Sequence, residues 1–137
     1  MLGSLSGENG TKKCYDPQPE DLNRFFLERA NAGDVEGVIA LYEPEAVLVG
    51  PGKQLIIGTQ ALRQTYMQLF ASKPTFAGET QAAIRNGDLA LTSTRFTISS
   101  PGLDGKLLPV KTATTELARR QPDGTWLWVI DQPNILA

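Results

Sequence analysis

Asp131 is the residue best placed by the sequence to move a proton. It ends an apolar strand, Thr125-Trp-Leu-Trp-Val-Ile-Asp-Gln132, where apolar neighbours raise a carboxyl pKa toward that of a useful base. The chain holds no histidine among its 137 residues. That excludes Ser-His and Cys-His catalytic pairs and His-ligated metal sites. Acid–base work is left to Asp, Glu, Tyr or Lys. A second reading of Asp131 stays open: a hydrogen bond to Thr115 or to a backbone amide at a strand end, since buried polar groups are usually satisfied.

Asp131 is positioned by a hairpin. Pro122 presets φ for a type I turn, Asp123 follows, and Gly124 supplies the positive φ that closes it. Pairing Gln121 with Thr125 sets a register. Arg120, Ala118, Glu116 and Thr114 then lie opposite Trp126, Trp128, Ile130 and Gln132 on one face. Leu117 and Thr115 lie opposite Val129 and Asp131 on the other, so Thr115 and Asp131 are expected as cross-strand neighbours. Both faces carry large apolar groups, whereas an antiparallel sheet wetted on one side reads polar there. The helices are expected to cover the Asp131 face. The face with Trp126, Trp128, Ile130 and Glu116 is expected to meet a second copy of the chain, because exposed apolar patches mark interfaces. A half-exposed Trp without a partner is the alternative. On that face Glu116 would form an ion pair with Arg120 or Arg95.

Composition bounds the rest. The length suits one domain with a sizeable core. Thirteen basic and fifteen acidic residues give a net charge of −2, with no basic block for nucleic acid. No apolar run approaches a membrane span of about 20 residues. The start of the chain lacks the pattern of a secretory signal, and the single Cys14 can form no internal disulfide. A cytoplasmic location is expected. Cys14 reads as a spare cysteine in a flexible tail, residues 1–15, and residues 16–137 as one domain.

The elements follow in order. The first helix is expected from Pro17–Pro19 to Ala32, with Leu22, Phe25, Phe26 and Ala30 on its apolar stripe. Gly33 ends it and Asp34 caps a second helix bearing Val35, Val38, Ile39 and Tyr42, stopped by Pro44. Ala46–Val49 and Gln54–Ile57 read as a short hairpin around Gly50-Pro-Gly52. That turn lacks the Lys-Ser/Thr of a phosphate loop. Thr59 is expected to cap a third helix with Leu62, Tyr66 and Phe70 on one face. Strands follow: Thr75–Arg85, an Asn86-Gly87 turn, Leu89–Ser99, and the long hairpin. Alternation groups Ala90, Thr92, Thr94, Phe96 and Ile98 inward and Arg95 outward. Three helices against a bent, mostly antiparallel sheet make an α+β fold.

This order resembles the nuclear transport factor 2-like (NTF2-like) superfamily, in its SnoaL-like and ketosteroid-isomerase-like branch. The resemblance rests on Asn31-Ala-Gly-Asp34, Ala40-Leu-Tyr-Glu-Pro-Glu-Ala-Val-Leu48, Gly58-Thr-Gln-Ala-Leu-Arg63 and Asp123-Gly-Thr-Trp126. It implies a cone-shaped α+β fold with a pocket between sheet and helices, and often a dimer through the outer side of the sheet. Ketosteroid isomerases carry an aspartate base where this chain has Gly50, an oxyanion-holding tyrosine where it has Phe26, and a protonated aspartate at the position of Thr115. None of the three can do that work here. Two supporting tyrosines match, Tyr42 and Tyr66, as proton donors or as core aromatics with a bonded hydroxyl. The expected pocket holds Phe26, Tyr42, Tyr66, Thr92, Thr94, Phe96, Thr115 and Asp131: apolar, with hydroxyls and one carboxylate. Isomerase-, cyclase- or hydrolase-like chemistry on a small hydrophobic ligand is implied, with no metal or cofactor. A non-catalytic association module with a vestigial pocket is the alternative.

Overall fold

The turn at residues 121–125 forms as its chemistry dictates. Gly124 adopts φ 88°, its N–H donates to the Gln121 carbonyl at 2.9 Å, and the Gln121 N–H donates to the Thr125 carbonyl at 2.7 Å. In the computed structural model, which describes residues 17–133, this turn joins the last two strands of one seven-stranded sheet. The expected tail and Cys14 lie outside the described residues.

The elements run α1 (Asp21–Asn31), α2 (Val35–Ile39), β1 (Tyr42–Val49), β2 (Leu55–Ile57), α3 (Thr59–Phe70), β3 (Thr75–Thr80), β4 (Ile84–Asn86), β5 (Leu89–Pro101), β6 (Leu107–Arg120) and β7 (Trp126–Gln132). The strand order is β2-β1-β7-β6-β5-β3, with β4 also on β5. All pairs are antiparallel except β1 with β7. The three helices pack on this strongly curved sheet.

Each helix buries the stripe that its spacing marks. Leu22, Phe26 and Ala30 of α1 and Leu62, Tyr66 and Phe70 of α3 recur four apart and are buried, the geometry of one helical face. Asp34 caps α2, its Oδ1 accepting the Gly37 N–H at 2.9 Å. Phe26 is the hub of the core. Its ring lies 5.7 to 6.1 Å from those of Tyr66, Phe76, Phe96 and Trp128, each at a steep interplanar angle, the edge-to-face arrangement that aromatic quadrupoles favour.

Four expectations change. Tyr42 does not extend α2. It opens β1, and Pro44 lies inside that strand, where the pairing with β7 is irregular between Tyr42 and Val47; a proline is tolerated there because the ladder is already broken. Gly58 at φ 91° is the N-cap of α3, so Thr59 is its first helical residue. The strand expected over Thr75–Arg85 splits into β3 and β4.

The fourth change matters most for the site. The register is as expected through Arg120↔Trp126, Arg119↔Leu127 and Ala118↔Trp128, then jumps to Leu117↔Ile130 and Glu116↔Asp131. Val129 is the extra residue of a β-bulge, which bends the strand and offsets its alternation by one. Trp126, Trp128 and Glu116 are therefore buried inside, at 7%, 3% and 3% exposure, and not on the outer face. Thr115 pairs with Gln132, not with Asp131. Ile130 alone of the expected outer set faces outward, 42% exposed.

Asn31 ties the end of α1 to the edge strand β3. Its Oδ1 accepts the Phe76 N–H at 2.7 Å and its Nδ2 donates to the Phe76 carbonyl at 3.0 Å. Both groups belong to an edge that no further strand of the described residues covers, and a side chain that pairs both blunts such an edge. Asn31→Ala is expected to cost about 1–2 kcal/mol in urea unfolding and to speed hydrogen exchange at the Phe76 amide. An unchanged midpoint would mean that water serves the edge equally well.

Candidate functional site

Curvature leaves a cavity of about 520 Å³ between the inner face of the sheet and helices α1 and α3. Its wall is mainly apolar: Phe26, Leu48, Ile56, Leu69, Phe76, Phe96, Ile98 and Trp128. Two carboxyl groups, Glu116 and Asp131, line it from adjacent strands. Its exposed lining residues, Pro51, Gly52, Lys53 and Leu69, mark the mouth beside the β1–β2 turn and α3. A concave, mostly apolar space with a few convergent polar groups is the general form of a small-molecule site.

Asp131 reaches the wall because the bulge turns it inward together with Trp128, three residues earlier. Tyr42 donates to Asp131 Oδ2 at 2.6 Å. The Tyr42 and Tyr66 hydroxyls lie 2.5 Å apart. Since Tyr42 has one proton and gives it to a carboxylate, Tyr66 donates to Tyr42 whenever Asp131 is ionised. The result is a chain of hydroxyls ending on one carboxyl oxygen. No side chain of the described residues hydrogen-bonds the other oxygen, Oδ1, while the residue lines the cavity.

Glu116 is held differently. Its Oε1 accepts from Thr92 at 2.8 Å and Thr94 at 3.4 Å, and its Oε2 accepts from Thr114. Thr94 is in turn 2.9 Å from Thr80 Oγ1. The threonines come from β5 and β6, where alternation stacks their hydroxyls on one face.

Burial dominates the proton affinities here. It raises Asp131 from an ordinary 3.8 to about 7, the neighbouring charge of Glu116 adds to the rise, and the Tyr42 hydrogen bond opposes it. Burial also raises Glu116, against the three threonine hydroxyls. Tyr42 and Tyr66 both move up, first through burial and next through the charge of Asp131, so both stay neutral and act as donors. Two carboxyls this close share their titration, and the pair holds a proton near neutral pH.

Of the residues anticipated in the pocket, Phe26, Tyr66, Phe96 and Asp131 line the cavity. Tyr42 stands one hydrogen bond behind Asp131, and Thr92 and Thr94 stand behind Glu116. Thr115 lies on the opposite face of β6 from Glu116 and is left out. Glu116, one residue later, lines the cavity in its place. Sequence reasoning missed Glu116, Thr114 and Lys53 as lining residues. The available signal was the inward Thr92 and Thr94, whose cross-strand partners on β6 are Glu116 and Thr114.

Among the described residues no helix is long and apolar enough to cross a membrane, and no group of three or more His, Cys, Asp or Glu side chains is gathered as metal ligands.

Similar proteins place this architecture. A ketosteroid isomerase-like protein from Erwinia carotovora atroseptica superposes with a TM-score of 0.75 at 22% identity, over 86% of this chain and 93% of that one. A candidate dehydratase of the NTF2-like family from Streptomyces avermitilis gives 0.71 at 23% identity, over 85% and 93%. A candidate calcium/calmodulin-dependent protein kinase II association domain from Xanthomonas campestris gives 0.71 at 19%, over 90% and 94%. At these identities the likeness is one of fold. Among curated proteins no sequence matches the chain. The model of the SnoaL-like domain matches residues 22–132, from the first buried leucine of α1 to the strand that carries Asp131, and the chain belongs to the SnoaL-like domain family within the NTF2-like fold.

Proposed function

We propose that the protein binds a small, largely apolar molecule in this cavity and that Asp131 exchanges a proton with it. The observation that carries the reading is the state of Asp131: on the wall of an apolar cavity, one oxygen fixed by Tyr42, its proton affinity raised to about 7. A carboxyl titrating near the working pH populates both acid and base forms, the condition under which proton transfer is most effective. Asp131 takes a proton from a carbon beside a carbonyl and returns it to the same or another position, so no co-reactant is consumed. Glu116, held beside it by three threonine hydroxyls, adds through its charge to the proton affinity of Asp131. Enolisation of this kind underlies isomerisation and cyclisation alike. Similarly folded proteins described as isomerase-like and dehydratase are in keeping with it.

We also infer a homodimer through the outer face of the sheet. Cross-strand partners align Ile84, Leu91, Leu117, Ile130, Val47 and Ile57 in one row over six strands. Ile84, Leu91, Ile130 and Ile57 are 39 to 71% exposed. A continuous apolar row is unusual on a surface left to water, and closed two-fold pairing is the commonest way to cover one. A similarly folded chain described as an association domain is in keeping with a contact between copies. The row occupies the side of the sheet opposite the cavity, so pairing and binding do not compete.

Three measurements check these readings. The wild type is expected to exchange the α-protons of 2-tetralone with deuterated solvent at least ~10²-fold faster than Asp131→Asn; equal rates would reduce the cavity to a binding site. The same variant reports on burial. Asp131 holds its proton more tightly folded than unfolded, so the folded state carries more protons between pH 3.8 and about 7, and stability falls as pH rises across that window. Asp131→Asn is expected to make that fall shallower and to be the more stable protein at pH 8, by about 2 kcal/mol, with Glu116 responsible for the slope that remains. For the dimer, Leu117→Lys with Ile130→Lys is expected to shift the light-scattering mass from two chains to one without altering the circular dichroism. A wild type of one-chain mass would refute it.

A further inference from the structure

The cavity has a charge pattern that the proton transfer leaves unused. Its two carboxyls are buried at 3% and 7% exposure. Its mouth carries Lys53, the one basic side chain among the lining residues. Lys53 is exposed and makes no ion pair within the described residues. Four arginines elsewhere are paired, Arg63 with Glu36, Arg85 with Glu20, Arg119 with Glu43 and Arg120 with Asp88, whereas Lys73, Arg95, Lys106 and Lys111, like Lys53, are in no ion pair among the described residues.

The backbone at this lysine is also unusual. Lys53 sits at φ 64°, directly after Gly52 at φ 67°. Glycine takes such angles freely and a residue with a Cβ does not. The same left-handed backbone occurs at Lys73, φ 54°, which lines no part of this cavity, so it is the place of Lys53 at the mouth that sets it apart.

We propose that Lys53 is a specificity-determining residue, and that the cavity takes amphiphiles with an apolar body and a carboxylate or similar anion at the outer end. The inference rests on the reading of the cavity as a binding site. The inner end is closed to an anion, because a third negative group beside Glu116 and Asp131 in apolar surroundings lacks a counter-charge. Neutral carbonyl or hydroxyl oxygens suit that end. An anionic group is left at the mouth, where water and the Lys53 ammonium both reach it. The ligand thereby enters one way round, with its neutral end toward Asp131.

A matched pair of fluorescent probes tests this: 1-pyrenebutanoate and 1-pyrenebutanol share an apolar body and a flexible arm and differ in the end group. Each is titrated into the full chain at low salt. The butanoate is expected to bind about two- to fivefold more tightly than the alcohol. The preference should disappear in Lys53→Gln, persist in Lys53→Arg, reverse in Lys53→Glu, and shrink in high salt. The preference is read in each protein as the ratio of the two affinities, so that a change in the turn or cavity that affects both probes alike cancels. Equal binding of both probes by the wild type, or a preference that survives Lys53→Gln, would overturn the role of Lys53 and leave the cavity as a binding site. Binding of neither probe would overturn the binding-site reading, and this inference with it.

Discussion

Val129 has no partner across the hairpin, and because of it Trp128 and Asp131, three residues apart, both face the cavity. In an unbroken strand, residues three apart point to opposite sides of the sheet. Without the bulge, a strand that kept Trp126 and Trp128 inside would send Asp131 to solvent and Ile130 into the cavity. Such a cavity would be wholly apolar on that strand, and Glu116 would face an isoleucine. The two carboxyls are cross-strand partners only because the register slips between Ala118 and Leu117. The bulge also bends β7, which helps the sheet to curl around Phe26 and leave space beneath it.

Placing two carboxyls there is costly, and the way the cost is contained says what the site can do. Burial of an ionised carboxylate without compensation is strongly unfavourable. Glu116 is compensated by three threonine hydroxyls and Asp131 by one tyrosine. In both, burial still outweighs the hydrogen bonds, so both proton affinities rise. Asp131, the less heavily bonded of the two, keeps one oxygen free of side-chain donors. A carboxyl kept only for stability would gain from a second donor, as Glu116 has. The asymmetry suits a division in which Glu116 is held fast and Asp131 remains available to a ligand.

Much of the fold was legible because its signals are local. The apolar stripes of α1 and α3, the Asp34 cap and the Pro122-Asp123-Gly124 turn each depend on a few neighbouring residues. The inward set Ala90, Thr92, Thr94, Phe96 and Ile98 followed from alternation within one strand. Tyr42 was misplaced because Val35, Val38, Ile39 and Tyr42 keep helical spacing. What removes Tyr42 from the helix is a hydrogen bond to Asp131, 89 residues away, which no local pattern encodes. The bulge was illegible for the same reason. Trp126, Trp128 and Ile130 alternate without a break, and only the demand for a curved sheet with two carboxyls inside selects the slipped register over the regular one. One slipped residue moved Trp126, Trp128 and Glu116 from the expected interface into the interior, while Asp131 kept its place in the expected pocket.

The positions that this family resemblance marks as lost also fall into place. Gly50 cannot accept a proton and Phe26 cannot donate one, so neither of these two positions offers an acid or base to the cavity. Phe26 instead serves the core, edge-to-face with four other rings. The two carboxyls that line the cavity belong instead to β6 and β7. In the proposed reaction a ligand would present its reacting carbon to Asp131 and leave its far end near the β1–β2 turn, where the wall offers glycine, proline and one lysine. On the proposed reading the same scaffold would support proton chemistry from a different wall, because a curved sheet places several inward positions within reach of one cavity and the bulge chooses which of them carry acids.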